Sequence, residues 1–356
     1  MEKLKISWGG CLAILFNIFF ILFLFEFGLR LMQPTTTLTA FGHPCQIAED
    51  PQLGYRFFPD SSGRIQLYNE IDNVVVMNSG GFHDIEHDLW AKSNRILVLG
   101  DSFTSANQVP IEAGWTQIVE QELEDTSVIN LGVDGYGTAR QLKLLEQYAP
   151  MVNPQIVILA FFENDVTEIL AQTKLDCYDD HLLVYQNEDQ KQQLMTFLDE
   201  SKPSELSFLL GRYSVFYRVV ATLTSPSGFL LGKNTIIPAD IGISLEPLPE
   251  EPPDLLPNLF EQFEGLAEQY DFEMVVIPVP SRDNPEKSLA LLTERQIDSD
   301  TWKRIQVIDL YPEMKAQMDA DGLEHKDLYF EFDGHFNKNG YALFGKQVAE
   351  YLLNNE

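Results

Sequence analysis

Positive charge is what this sequence has least of. Its 356 residues carry 24 Lys and Arg against 54 Asp and Glu, a formal net charge of −30 at pH 7. So acidic a chain repels phosphate backbones, which argues against nucleic acid as a partner. Cysteines number three and histidines six. There is no C-x-x-C pair, no H-E-x-x-H, no phosphate-cradling P-loop and no G-x-S-x-G, so the chemistries those motifs carry have no foothold. No cofactor and no metal is called for. Pro and Gly gather in no long tract, and no internal repeat or low-complexity block is present. Only Glu246 to Asp254 (E-P-L-P-E-E-P-P-D) reads as a linker or exposed loop.

Charge of either sign is missing from Ile6 to Phe25, a run dense in Phe, Leu and Ile. Twenty helical residues span roughly 30 Å, the thickness of a bilayer core. The run exceeds a signal-peptide core, and no small-x-small cleavage site follows it closely. Cys11 lies near its start rather than after it, which disfavours a lipoprotein site. Lys3 and Lys5 precede the run while Glu26 and Arg30 follow it, a bias that sets the amino end inside and the body outside. The expected parse is a cytoplasmic tail over 1–5 and a membrane anchor over 6–27, with a buried core helix as the alternative. A tether and lead-in of short strands follow over 28–92. Leu53 to Phe58 and Leu67 to Met77 read as strands there. His83 and His87, among Asp84, Glu86 and Asp88, read as a solvated acidic loop, since their spacing fixes no metal geometry.

A rhythm of apolar strand, polar or glycine-rich turn and helix begins at residue 93. Strands are expected at 95–99, 127–131, 156–161, 272–277 and 305–309, with helices at 111–123, 139–148, 259–270 and 341–353. That alternation indicates an α/β fold built on a doubly wound parallel sheet. It is interrupted over 171–257, an insertion holding a strand (182–185) and an apolar helix (206–223), which serves either as a lid over the rim or as structural elaboration. Cys45 and Cys177 are the pair available outside the membrane, because Cys11 lies in the span; a bridge would tie the lead-in to the insertion. His43, His181 and His325 take surface or packing roles.

Every noteworthy turn falls at the carboxyl end of a strand, where open α/β sheets hold their ligands. Ile96 to Leu99 runs into Gly100-Asp101-Ser102. The next strand ends in Asn130-Leu-Gly-Val-Asp-Gly135, the third in Phe162-Glu163-Asn164-Asp165, and Asp333-Gly334-His335 precedes the last helix. A serine hydroxyl becomes a nucleophile when an imidazole takes its proton, and a carboxylate fixes that imidazole's tautomer. A glycine N–H and an asparagine amide on neighbouring turns supply donors for a charged tetrahedral oxygen.

In order and place, these four segments resemble the four blocks of the SGNH/GDSL hydrolase superfamily. The resemblance covers about residues 93 to 353, and the anchor and lead-in resemble those of its membrane-tethered bacterial branch, to which alginate O-acetylation proteins are similar. It implies a flavodoxin-like sheet and a serine-dependent acyl-ester chemistry. Ser102 matches the nucleophile, His335 the base and Asp333 the orienting acid. Gly135 and Asn164, with the Ser102 N–H, match the oxyanion donors. Two departures stand out. Phe162 and Glu163 precede Asn164 where glycine is usual, so Glu163 is expected to narrow or acidify the pocket. Asp333 lies two residues before His335 where three is usual, with Phe332 at the usual acid position. Two readings stay open: a membrane-anchored esterase or O-acyltransferase acting on a glycan, lipid or small ester outside the cytoplasm, and a catalytically silent domain that binds glycan or scaffolds a complex.

Overall fold

The computed structural model describes residues 8–32, 46–67, 70–89, 91–170, 174–178, 181–201 and 255–355, with isolated positions between 206 and 243. Lys3, Lys5, Pro34, His43, Cys45 and the acidic-proline segment lie outside the described residues, as do the His181 side chain and most of 206–223. Helix α1 (Trp8–Met32) is apolar on every side. Its window Leu12–Leu29 has a mean hydropathy of 2.4 and holds no buried residue, while Phe25 meets the Phe216 ring and Glu26 accepts from Ser214 Oγ and the Phe216 N–H. What α1 offers is a helix long and apolar enough to cross a membrane.

Two antiparallel hairpins make up the lead-in: β1 (Ile47–Asp50) with β2 (Gly54–Phe57), and β3 (Ser62–Leu67) with β4 (Ile71–Val76). Along β4 the side chains alternate, with Ile71, Asn73 and Val75 buried and Asp72, Val74 and Val76 exposed, as the two-residue period of a strand requires. Buried Asn73 donates to the carbonyls of Asn107 and Val109 at 2.9 and 2.7 Å. The hairpin is thereby stitched to the core's first loop.

The core opens with β5 (Asn94–Gly100), a one-turn helix α2 (Ser102–Ser105) and α3 (Trp115–Glu122). It continues through β6 (Thr126–Asn130), α4 (Thr138–Val152), β7 (Ile156–Phe161) and α5 (Asp165–Leu170). An excursion follows: β8 (Lys174–Tyr178), β9 (His181–Tyr185), α6 (Glu188–Ser201) and a two-residue β10 (Thr235–Ile236) form a small separate sheet with one helix on it. The core resumes with α7 (Leu255–Tyr270), β11 (Glu273–Pro278), α8 (Lys287–Glu294), β12 (Ile305–Val307), α9 (Tyr311–Asp321) and α10 (Lys338–Asn354). Cys177 on β8 is disulfide-bonded, while Cys45, the partner expected from the sequence, lies outside the described residues.

The strand order is β12-β11-β7-β5-β6, and every pairing is parallel. This is the flavodoxin-like order, in which the first core strand lies between the second and third. Alternate residues of each strand enter two cores. Leu97, Leu99, Val157, Leu159 and Val276 face α4 and α7, while Ile96, Val98, Ile158 and Ile277 face Trp115 of α3 and Phe344 of α10. Burial on both faces explains why the strands read as unbroken apolar runs. Each large side chain so enclosed contributes about 1.5–3 kcal/mol.

Boundaries differ from the sequence reading in places. The helix expected at 111–123 splits into a 3-10 turn (Ile111–Ala113) and α3, because Gly114 is extended (φ −70°, ψ 145°). Helix α9 stands between β12 and the His335 loop, and α8 between β11 and β12. Of α9 only Met314 and Met318 are buried, too thin an apolar stripe to announce a helix.

Candidate active site

The chain leaves β5 for β6 on one side and returns to β7 on the other, so a crevice opens at the carboxyl ends of β5 and β7. Ser102 lies at its edge. At Gly100 a Cβ would stand 2.1 Å from Thr104 Oγ1, so only glycine lets the chain fold straight into α2. Asp101 caps that turn by accepting the Phe103 N–H at 2.9 Å, and Ala106 ends it in the left-handed region at φ 54°.

The second half of the site arrives from the far end of the chain. Ser102 Oγ lies 2.7 Å from His335 Nε2, across 233 positions of sequence. The other ring nitrogen, Nδ1, lies 2.7 Å from Asp333 Oδ1. The same oxygen accepts the His335 backbone N–H at 3.3 Å, and Gly334 between them turns at φ +85°. A carboxylate so placed fixes the proton on Nδ1 and leaves Nε2 as the acceptor facing the hydroxyl. Phe103 packs on the imidazole at 4.7 Å between centroids, on Phe162 at 4.3 Å and on Phe336 at 5.2 Å.

The glycine-rich turn after β6 lies against α2. A Cβ on Gly132 would come within 2.4 Å of the Ser105 nitrogen. Asn130 joins the two turns, donating to the Thr104 carbonyl at 2.9 Å and accepting the Gly132 N–H at 2.8 Å. Gly135 adopts φ +73°. Among the described residues no acceptor is found for its N–H or for that of Ser102. The Asp134 carboxylate receives Ser105 Oγ–H and, at 3.0 Å, the Asn107 amide. Asn164 sits in the turn after β7, which Asp165 closes through the Phe162 carbonyl at 3.0 Å. The structure thus brings all five sequence-predicted residues, Ser102, Gly135, Asn164, Asp333 and His335, to one rim.

Burial pushes the Asp101 carboxyl up to about 6, against the pull of the Phe103 N–H and the His335 charge. For His335 burial opposes protonation, but the Asp333 bond and the charges of Asp333, Asp101 and Asp134 outweigh it and raise the ring above its ordinary value.

One expectation needs correction. The segment around His83 and His87 is no solvated loop. His83 and Asp84 are 4% and 3% exposed, and His83 Nδ1 donates to the Ser105 carbonyl at 2.9 Å. Asp84 accepts from His87 Nε2 at 3.0 Å, Asn130 N at 2.9 Å and Gln117 Nε2 at 3.1 Å, so its charge is spent tying the lead-in to β6 and α3. Glu163 is also engaged: Ser281 Oγ donates to it at 3.2 Å and Lys287 Nζ lies 3.4 Å away. The lead-in also touches these loops. Tyr55 donates to the Asp134 carbonyl at 2.6 Å, and Glu70 accepts three successive N–H groups from the loop that carries Asp333. No sequence signal marks these two, because their partners are backbone groups tens to hundreds of positions away.

The parallel sheet has the order that the sequence resemblance implied, and Ser102, His335 and Asp333 form a hydrogen-bonded chain at its switch point. No family model matches the chain. It is similar to an arylesterase from Vibrio mimicus, 34% identical over 77 residues that cover 20% of this chain and 38% of that protein. The chain therefore spans well under half the length of the curated relative it matches. Among solved structures it is similar to a lipolytic protein of the G-D-S-L family from Veillonella parvula, at 16% identity and TM-score 0.36, covering 72% of this chain and 97% of the other. It is also similar to a psychrotrophic esterase from Pseudoalteromonas sp., at 13% identity and TM-score 0.39, covering 74% and 98%. A family 3 carbohydrate esterase from Clostridium thermocellum gives 11% identity and TM-score 0.36, covering 74% and 96%. Likenesses at this level carry neither substrate nor activity.

Proposed function

We propose that this protein is a serine carboxylic-ester hydrolase, held by α1 at a membrane with its body outside the cytoplasm, and that it cleaves a small acyl ester, such as an O-acetyl group. The observation that carries the reading is the unbroken chain Ser102 Oγ, His335 Nε2, His335 Nδ1, Asp333 Oδ1, with both bonds at 2.7 Å. Ser102 Oγ attacks the acyl carbon while Nε2 takes its proton. The N–H groups of Ser102 and Gly135 and the Asn164 amide receive the developing oxyanion. Collapse of the tetrahedral species returns the proton to the departing alcohol, and water then releases the acid by the same route. Asp333 stays ionised throughout, holding the imidazolium. The Phe103 ring packs on the imidazole and the Phe162 ring on Phe103. If a sugar hydroxyl replaces water in the second step, the product is an O-acylated glycan, and measuring free against transferred acetate separates the two outcomes. The proposal is tested by a fluorophosphonate, which should label the wild type and not Ser102→Ala. Wild type left unlabelled and inert towards every ester would establish the silent domain instead.

Two quantitative expectations follow from the geometry. Asn164→Ala should lower kcat roughly 10²- to 10³-fold, as loss of one oxyanion donor does, with KM little changed; full activity would remove Asn164 from the hole. The neutral imidazole is the form that accepts the Ser102 proton, and the protonated ring cannot. Because the site raises His335, kcat/KM should climb with pH through a midpoint above about 6.5, the ordinary histidine value. A pH–rate profile with its acid midpoint below 6.5 would contradict that assignment.

A further inference from the structure

Asp333 works at a spacing of two from His335, and the loop that makes this workable is not held by the core alone. Glu70, immediately before β4, accepts the backbone N–H groups of Glu331 at 2.8 Å, Phe332 at 3.0 Å and Asp333 at 2.8 Å. These N–H groups belong to a segment 261 to 263 positions away. Arg282 Nη1 donates to the Glu331 carbonyl of the same turn at 2.6 Å. An anion therefore gathers the donors of the turn while a cation holds its acceptor. Charge-assisted bonds of this kind are about twice as strong as neutral ones, and three on one carboxylate leave the turn little freedom. Beyond it, Gly334 reverses the chain at φ +85°, which lets one Asp333 oxygen reach both the ring and the backbone of His335.

We propose that Glu70 is a positioning residue of the active site, which sets the geometry of Asp333, and through it the imidazole of His335, from a hairpin outside the sheet. The proposal rests on the hydrolase reading above. The strand that follows Glu70 is anchored: Ile71 is buried, Arg64 pairs bidentately with Asp72 at 2.6 Å, and Asn73 stitches β4 to the loop behind Ser102. One hairpin thus touches both the nucleophile's loop and the acid's loop.

The test uses the full chain in detergent, with a small acetyl ester as substrate and hydrogen exchange of the 331–333 amides as a second readout. Glu70→Ala should lower kcat roughly 10- to 10²-fold, the cost of a slight misplacement of a reacting group, with KM within about twofold. Glu70→Gln keeps one acceptor oxygen and should recover part of the loss. In an Asp333→Asn background Glu70→Ala should add less than about twofold, since residues acting as a unit are non-additive. Exchange at 331–333 should quicken in Glu70→Ala while exchange in β5 and β7 stays slow. Unchanged kcat, a loss confined to KM, full additivity with Asp333→Asn, or unaltered exchange at 331–333 would each overturn the role of Glu70. Where Ser102-dependent turnover is normal in Glu70→Ala, only this inference falls. Where wild type has no Ser102-dependent turnover, the hydrolase reading falls and takes this with it.

Discussion

Ser102→Ala and His335→Ala should each lower kcat on a small acetyl ester by about 10⁴- to 10⁶-fold, and the double variant should lose little more. The reason is geometric. Ser102 Oγ and His335 Nε2 stand 2.7 Å apart, so neither does useful work alone: the hydroxyl without the ring keeps its proton, and the ring without the hydroxyl has nothing to activate. What survives should be the contribution of the oxyanion donors and of binding. KM should stay nearly constant, because the lost interaction belongs to the transition state. Single-turnover kinetics with purified variants measure this directly. Two moderate losses that multiply in the double variant would show that the serine and the histidine do not act as one unit.

Asp333→Asn should cost about 10³- to 10⁴-fold in kcat while leaving the fold intact. Asp333 Oδ1 now accepts from both the ring and the backbone of His335. An asparagine amide that turns its nitrogen towards Nδ1 donates where the carboxylate accepted, and stabilises the wrong tautomer. It also removes the charge that supports the imidazolium. The loop lies at the rim, with the Asp333 side chain 14% exposed, so the thermal midpoint should move by only a few degrees. Full activity in this variant would place the orienting acid elsewhere, or leave a serine–histidine dyad.

The site was legible in the sequence where its residues sit at strand ends. Apolar runs buried on both faces stop abruptly, and the polar residues at the stops, Ser102, Gly135 and Asn164, share a rim as a matter of topology. His335 was legible from its place before the closing helix. Less legible was anything held through the backbone. Glu70 and Tyr55 bond to main-chain groups, which leave no trace in side-chain identity, and their partners lie far along the chain. The acidic stretch from Asp84 to Asp88 misled for a different reason. Local composition speaks for solvation, yet Asp84 is buried where the N–H of Asn130 and the side chains of His87 and Gln117 converge on it, and those bonds offset part of the cost of taking a carboxylate out of water. Glu163 was legible as an unusual residue, but not as one already engaged by Ser281 and Lys287.

The long reach of these bonds bears on the order in which the molecule folds. Within the sheet β5 pairs with the next two strands, β6 and β7, while β7 meets β11 from Ile156 to Glu273; contacts between strands close in sequence form early. The site instead depends on closures spanning 233 residues between Ser102 and His335 and 263 between Glu70 and Asp333. Closures of that length come late and reopen first when a rim frays. A chain whose sheet is complete can therefore still be inert, and regain of activity should trail regain of secondary structure during refolding. A fragment beginning at residue 93 would keep every strand of the sheet and lack the hairpin that closes behind it.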